Sequence, residues 1–132
     1  MKNTALVITS IAADTHPVLT QYAAETKEHG VSFVMIGDTK SPAQFALDGC
    51  DFYSTARQKD LGFTLAHDLP YKHYARKNLG YLIAIKNGTD IIIETDDDNI
   101  PLGGFWQPRT REKQARVLEH TGWTNEIGRA HV

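Results

Sequence analysis

Two short runs of apolar and β-branched residues, 4–10 and 31–36, are separated by a stretch with helical spacing, and this arrangement constrains the fold more than any other feature. Each run has the profile of a parallel strand buried on both faces, because it is apolar throughout rather than alternating with polar residues. Between them Asp14-Thr15-His16-Pro17 offers a cap followed by a first-turn proline. Val18, Tyr22 and Ala23 then recur at helical spacing up to Gly30. Strand, helix and strand in that order form a right-handed crossover unit, the basis of a nucleotide-binding topology.

The pattern continues downstream. Ser41-Pro42 opens a turn or short helical segment, residues 51–54 form a small third strand, and 55–65 read as a helix with Leu61 and Leu65 on one face. From Pro70 the spacing of Ala75, Leu79, Leu82 and Ile83 predicts a helix stopped by Gly88. Residues 90–95 follow as the strongest strand of all, with an apolar centre suited to the middle of a sheet. Beyond Pro101 the chain reads as loop to Pro108, and 115–119 fit strand or helix. The expected fold is α/β: a Rossmann-type α/β/α sandwich with a mostly parallel sheet.

At 132 residues the chain suits one compact domain. A net charge of -2 with scattered basic residues gives no footprint for nucleic acid or an anionic membrane, which leaves a small-molecule partner. Cys50 is the single cysteine, so an internal disulfide is excluded, and it reads as a small buried apolar residue. The opening run is too short for a signal peptide, no stretch reaches the roughly 20 apolar residues of a membrane span, and a cytoplasmic location is expected. Residues 126–132 lack periodicity and match one reading frame of a common sequencing-adapter oligonucleotide. The authentic chain is therefore expected to end near Asn125, with 1–125 a partial domain truncated at its C-terminus and 126–132 a non-native scar.

The chemistry concentrates at Asp96-Asp97-Asp98, directly after the strongest strand. Three adjacent carboxylates repel one another unless a cation is present, and Mg²⁺ or Mn²⁺ takes one or two carboxylates with water and substrate phosphates. Residues two apart around a tight loop can aim at one locus. Asp98 is thus expected to hold a metal, Asp96 to share the metal or take a ribose hydroxyl, and Asp97 to point elsewhere. Arg76, Lys77 and Asn78 lie on the preceding helix, where one cation and an amide can contact a sugar diphosphate. Gly80 would let that helix approach the sheet. Thr9 and Ser10 after the first strand and Asp38 after the second could line a base or ribose pocket. The six histidines include no pair at metal-binding helical spacing.

The stretch from Pro70-Tyr71-Lys72-His73-Tyr74-Ala75-Arg76-Lys77-Asn78-Leu79-Gly80-Tyr81 to Glu94-Thr95-Asp96-Asp97-Asp98-Asn99-Ile100-Pro101 resembles the STELLO glycosyltransferase family. It also resembles the wider GT-A pattern, in which a basic-Asn-x-Gly helix precedes an apolar strand ending in Asp-x-Asp. Gly37-Asp38 with Ser41-Pro42, and Gly122-Trp123-Thr124-Asn125, are similar to further family segments. The resemblance implies a GT-A-like domain that binds a UDP- or GDP-sugar donor through Mn²⁺ or Mg²⁺ at the Asp-x-Asp and transfers the glycosyl group to an acceptor it does not identify. By position it gives Asp96 and Asp98 the metal and diphosphate role, Asp38 a nucleotide role, and Arg76, Lys77 and Asn78 a donor-contact role. It names no catalytic base.

Two other readings compete. An apolar strand followed by Asp-x-Asp also describes an aspartyl-phosphate-type phosphatase, although that motif belongs on an early strand and Ile100 stands where Thr or Val is expected. The domain could also bind nucleotide without turnover.

Overall fold

The computed structural model describes residues 3–110, 112–117, 119 and 121–122. Four strands, β1 (Thr4–Thr9), β2 (Ser32–Ile36), β3 (Cys50–Tyr53) and β4 (Ile91–Glu94), form one parallel sheet in the order β3-β2-β1-β4. The helices are α1 (Pro17–His29), α2 (Thr55–Lys59), α3 (Leu65–Asp68) and α4 (Lys77–Lys86), with a 3₁₀ turn at Tyr74–Arg76 leading into α4. The architecture is α/β and Rossmann-like, as expected.

The alternation of side chains along β1 and β2 sorts the core into two layers. Ala5, Val7, Val34 and Ile36 face α4 through Leu79, Ile83 and Ala84, whereas Leu6, Ile8, Phe33 and Met35 face α1 through Leu19, Tyr22 and Ala23. Both sheet faces are thus covered by helices, which is why these strands read as continuous apolar runs. The helix α1 carries Pro17 in its first turn and ends at Gly30 in the left-handed conformation, φ 64°. There Val31 N–H closes on Thr26 O at 2.8 Å, a glycine-terminated end. Asp14 does not cap the helix. Its carboxylate accepts from Ala46 N at 3.0 Å and ties the loop after β2 to the loop after β1.

Four expectations are revised. The helix read over 55–65 is split into α2 and α3, because the chain turns at Gly62, φ 78°, a conformation that ends a helix. Residues 70–73 precede the helical region rather than opening it, and the described part of 115–119 is neither helix nor strand. Finally, β4 is paired on one edge alone among the described residues, with β1. Ile92 and Ile93, both half-buried, still pack against opposite layers of the core, so the apolar run reports contact on two faces and carries no information on strand order. Cys50, expected to be a small buried apolar residue, is partly buried against the α1 layer of the core, and burial pushes its thiol up to about 12. No helix among the described residues is long and apolar enough to cross a membrane. The junction near Asn125 and residues 126–132 lie outside the described residues.

Gly80 permits the close seat of α4 on β1. A Cβ there would stand 2.4 Å from Val7 Cγ1 and 3.2 Å from Ile36 Cγ1, both on strands in the interior. Gly80→Ala is expected to lower the unfolding midpoint in thermal denaturation. Overpacking of about 1–3 kcal/mol outweighs the ~1 kcal/mol gained in helix propensity, because Val7 cannot move aside.

Candidate functional site

The chain passes from β1 to β2 on one side of the sheet and returns to β4 on the other, so strand order reverses at β1. In open parallel sheets ligands bind in the crevice beyond the strands' C-terminal ends at such a reversal. A cleft of about 340 Å³ lies there, lined by Thr9, Ser10 and Ile11 after β1, Ile36, Gly37 and Asp38 after β2, Asp96, Asp97 and Asp98 after β4, and Lys72, His73, Tyr74 and Arg76 from the segment entering α4.

Three anchors fix the aspartate loop. The Ser10 hydroxyl donates to Asp97 Oδ2, and Ser10 is itself held by Ala12 N at 3.0 Å and by Ser41 Oγ, which donates to Ser10 O at 3.2 Å. From α1, the Tyr22 hydroxyl donates to Asn99 O at 2.7 Å and lies 3.3 Å from Thr95 Oγ1. From α4, Lys77 Nζ reaches Asp96 Oδ1 at 2.8 Å, Glu94 Oε1 at 3.1 Å and Thr95 O at 3.2 Å. Asp97 therefore faces the cleft together with its neighbours instead of pointing away, because Ser10 offers it a partner at the end of β1.

Lys77 is nearly enclosed, its side chain 8% exposed. Burial alone would pull its pKa down, but the hydrogen bonds to Asp96 and Glu94 outweigh it and hold the ammonium above its ordinary value. Glu94 is held below the usual carboxylate range, first by the Tyr81 hydroxyl at 2.6 Å and then by Lys77. Lys77 and Asn78 do not line the main cleft. They border an adjoining groove with Tyr81 and Glu94 that shares Tyr74 and Asp96 with it, and the Asn78 amide donates to Ala75 O at 2.9 Å.

Arg76 lines the main cleft and is 1% exposed. Its Nε and Nη2 donate to Gln58 Oε1 at 3.0 and 2.5 Å, its Nη1 to Leu69 O at 3.0 Å, and the Tyr71 ring lies 4.6 Å away. Gln58 is fully buried and donates to Gly37 O at 2.8 Å and Tyr53 O at 2.7 Å, which carries the guanidinium on the ends of β2 and β3. All of these acceptors are neutral, so among the described residues the Arg76 charge has no carboxylate partner. Asp38 acts here through the backbone: Oδ1 accepts from Thr39 N at 2.6 Å and Oδ2 from Lys72 N at 2.7 Å.

Of the residues singled out from the sequence, Thr9, Ser10, Asp38, Arg76, Asp96 and Asp98 meet at one cleft, while Lys77 supports it from the adjoining groove. The sequence reading missed Gln58, Ser41, Tyr81, Glu94 and His73. The roles of the first four depend on long-range contacts that no local spacing announces, whereas His73 bonds within its own turn, to Ala75 N.

The donor set suits a particular kind of cation. Among the described residues no three His, Cys, Asp or Glu side chains converge as a ready cage. Asp98 lines the cleft, and Asp96 Oδ2 has no hydrogen bond within the described residues. That set fits an ion sharing its shell with water and phosphate, as Mg²⁺ and Mn²⁺ do, and does not fit an all-protein site.

No family model matches the chain. Over 84 residues, 60% of this chain, it is 34% identical to Probable glycosyltransferase STELLO1 of Arabidopsis thaliana. Over this segment the chain is similar to the STELLO glycosyltransferases. A second match, Probable glycosyltransferase STELLO2 of the same plant, is 35% identical over 71 residues, 54% of this chain. The chain spans 11% and 9% of the length of these two relatives, so the similarity concerns a small part of each. Both STELLO proteins are named as glycosyltransferases.

The Glu94 network yields a pH prediction. A carboxyl held low in the folded state stabilises the fold fully above its unfolded pKa, and that contribution is lost as pH falls through the folded value. Tyr81→Phe removes the largest cause, so carboxyl-detected NMR titration should show the Glu94 midpoint moving up toward the ordinary value. The accompanying stability loss at neutral pH should be about 1 kcal/mol or less.

Proposed function

We propose that this chain is the donor-binding part of a glycosyltransferase that uses a UDP- or GDP-sugar. The observation that carries the reading is the two-sided cleft at the strand-order reversal. Carboxylates emerge from β4 on one side, and the buried Arg76 guanidinium, balanced by neutral acceptors alone, is anchored to β2 and β3 on the other. A sugar diphosphate has matching needs: hydroxyls that bind to carboxylates, and phosphates that need cations. The STELLO similarity supports the transferase class.

In this reading Asp98 and Asp96 would hold Mg²⁺ or Mn²⁺, whose chemistry is Lewis-acid neutralisation of the departing diphosphate. Lys77 holds Asp96 in place and offsets part of the carboxylate charge before ligand arrives. Ser10 orients Asp97 in the same way. Thr9 and Asp38 border the nucleotide, with Asp38 shaping the loop at Lys72 as well as lining the pocket. Arg76 contributes a fixed positive charge that costs little reorganisation as negative charge develops on the leaving group. Asn78 lines the adjoining groove together with Asp96, where its amide would contact the donor. The acceptor and its base belong to parts of such an enzyme that this segment does not identify.

Calorimetric titration with UDP and GDP, with and without Mn²⁺, tests the reading. Binding should be metal-dependent, and Asp98→Ala should remove the metal-dependent increment, a loss of about tenfold or more in affinity. Failure of both nucleotides to bind, or an Asp98→Ala variant that binds as the parent does, would overturn it.

A further inference from the structure

We infer that His73 contacts a phosphate in the cleft, donating from Nε2 while Nδ1 is committed to its own chain. The identity of the ligand as a nucleoside diphosphate rests on the function proposed above; the anionic chemistry rests on the residues around His73.

The histidine caps the 3₁₀ turn at Tyr74–Arg76, with the Ala75 N–H donating to His73 Nδ1 at 3.0 Å. A ring nitrogen that accepts carries no proton, so the neutral imidazole bears its proton on Nε2. His73 is exposed and lines the cleft, and Nε2 has no partner among the described residues. The side chain is thus a donor of fixed tautomer presented to the ligand space.

The backbone that carries it is held from both sides. Before it, Lys72 adopts φ 56°, the one non-glycine residue in the left-handed region among those described, and its N–H is clamped by Asp38 Oδ2. Such a conformation persists only where surrounding contacts enforce it, and it concentrates at ligand-binding turns. After it, Arg76 N donates to His73 O at 3.2 Å, and the Arg76 side chain is buried against Gln58, Leu69 and Tyr71. Three groups with donating hydrogens and no acceptor capacity, Lys72, the Nε2 side of His73 and Arg76, therefore line one part of the cleft. Both Asp38 oxygens are taken by backbone N–H groups. An acceptor-rich anion is the ligand such a set recognises, and the Asp96–Asp98 side would repel the same anion unless a cation intervened. The contact at His73 is made by protein groups alone, and a cation at the Asp96–Asp98 side would strengthen it by removing that repulsion.

Two substitutions separate the cap from the donor. In His73→Asn the carboxamide oxygen takes the Nδ1 position, preserving a good cap and removing the Nε2–H. In His73→Gln the amide reaches the Nε2 position and the cap is lost. With EDTA present, titration with sodium pyrophosphate and separately with UDP should show His73→Asn weakened about tenfold at an unchanged unfolding midpoint. His73→Gln should keep binding within about threefold at a lowered midpoint, and ¹⁵N spectra of the parent imidazole should report the Nε2–H tautomer and an Nε2 shift on adding pyrophosphate. Equal binding by His73→Asn and the parent, an Nδ1–H tautomer, or no pyrophosphate binding by the parent would overturn the inference. With Mg²⁺ supplied in place of EDTA, a parent that binds pyrophosphate but not UDP, with His73→Asn weakened, would overturn the nucleotide reading and leave His73 as an anion contact.

Discussion

β1 is hydrogen-bonded along both edges and covered on both faces, so the sole part of it that can meet a ligand is its C-terminal end. That constraint organises the molecule. Because β2 and β4 flank β1 and the chain reaches them from opposite directions, the loops after all three strands converge around Thr9 and Ser10. A fully paired strand cannot shift register without exposing its apolar faces, which makes its end a rigid platform. Ser10 exploits the position: its hydroxyl, amide and carbonyl engage Asp97, Ile36 and Ser41, joining the three strand ends in one network.

The electrostatics follow from the same convergence. Consecutive aspartates at a strand end are unfavourable company, and the protein offsets them with neighbours of different kinds: Lys77 on Asp96, a hydroxyl on Asp97, and open space at Asp98. The asymmetry distinguishes the three residues by availability. On the other side, Arg76 is buried on neutral acceptors, so its charge is directed to the cleft and is not spent on a structural ion pair. Buried charges are costly unless hydrogen-bonded, and Gln58, bridging the guanidinium to the ends of β2 and β3, supplies that bonding.

Much of this was legible in the residues. The uniform apolarity of 4–9 and 32–36 reported burial on both faces, Pro17 and Gly30 marked the ends of α1, and the run into Asp96-Asp97-Asp98 located the cleft. Gly80 was legible as a point of close approach because nothing else explains a glycine inside so apolar a helix. What could not be read was relational. Strand order leaves no mark on an apolar run whose residues pack toward both layers, and β4 does so while only half-buried at the sheet edge. Gln58 looks like an ordinary surface residue of a short helix until the ends of β2 and β3 and Arg76 surround it. The geometry of a turn considered alone aims Asp97 away from the cleft, whereas Ser10, 87 positions earlier, decides where it points.

If the strand ends around Ser10 bind a phosphate ligand together with a divalent cation, as proposed, paramagnetic broadening shows it directly. Substoichiometric Mn²⁺ added with UDP should broaden the amide signals of residues 9–11, 37–38 and 96–99 first, leaving those of the α1 face near Glu25, Glu28 and Trp106 sharp. Broadening centred on that α1 face, or spread evenly over the surface acidic residues, would contradict the account.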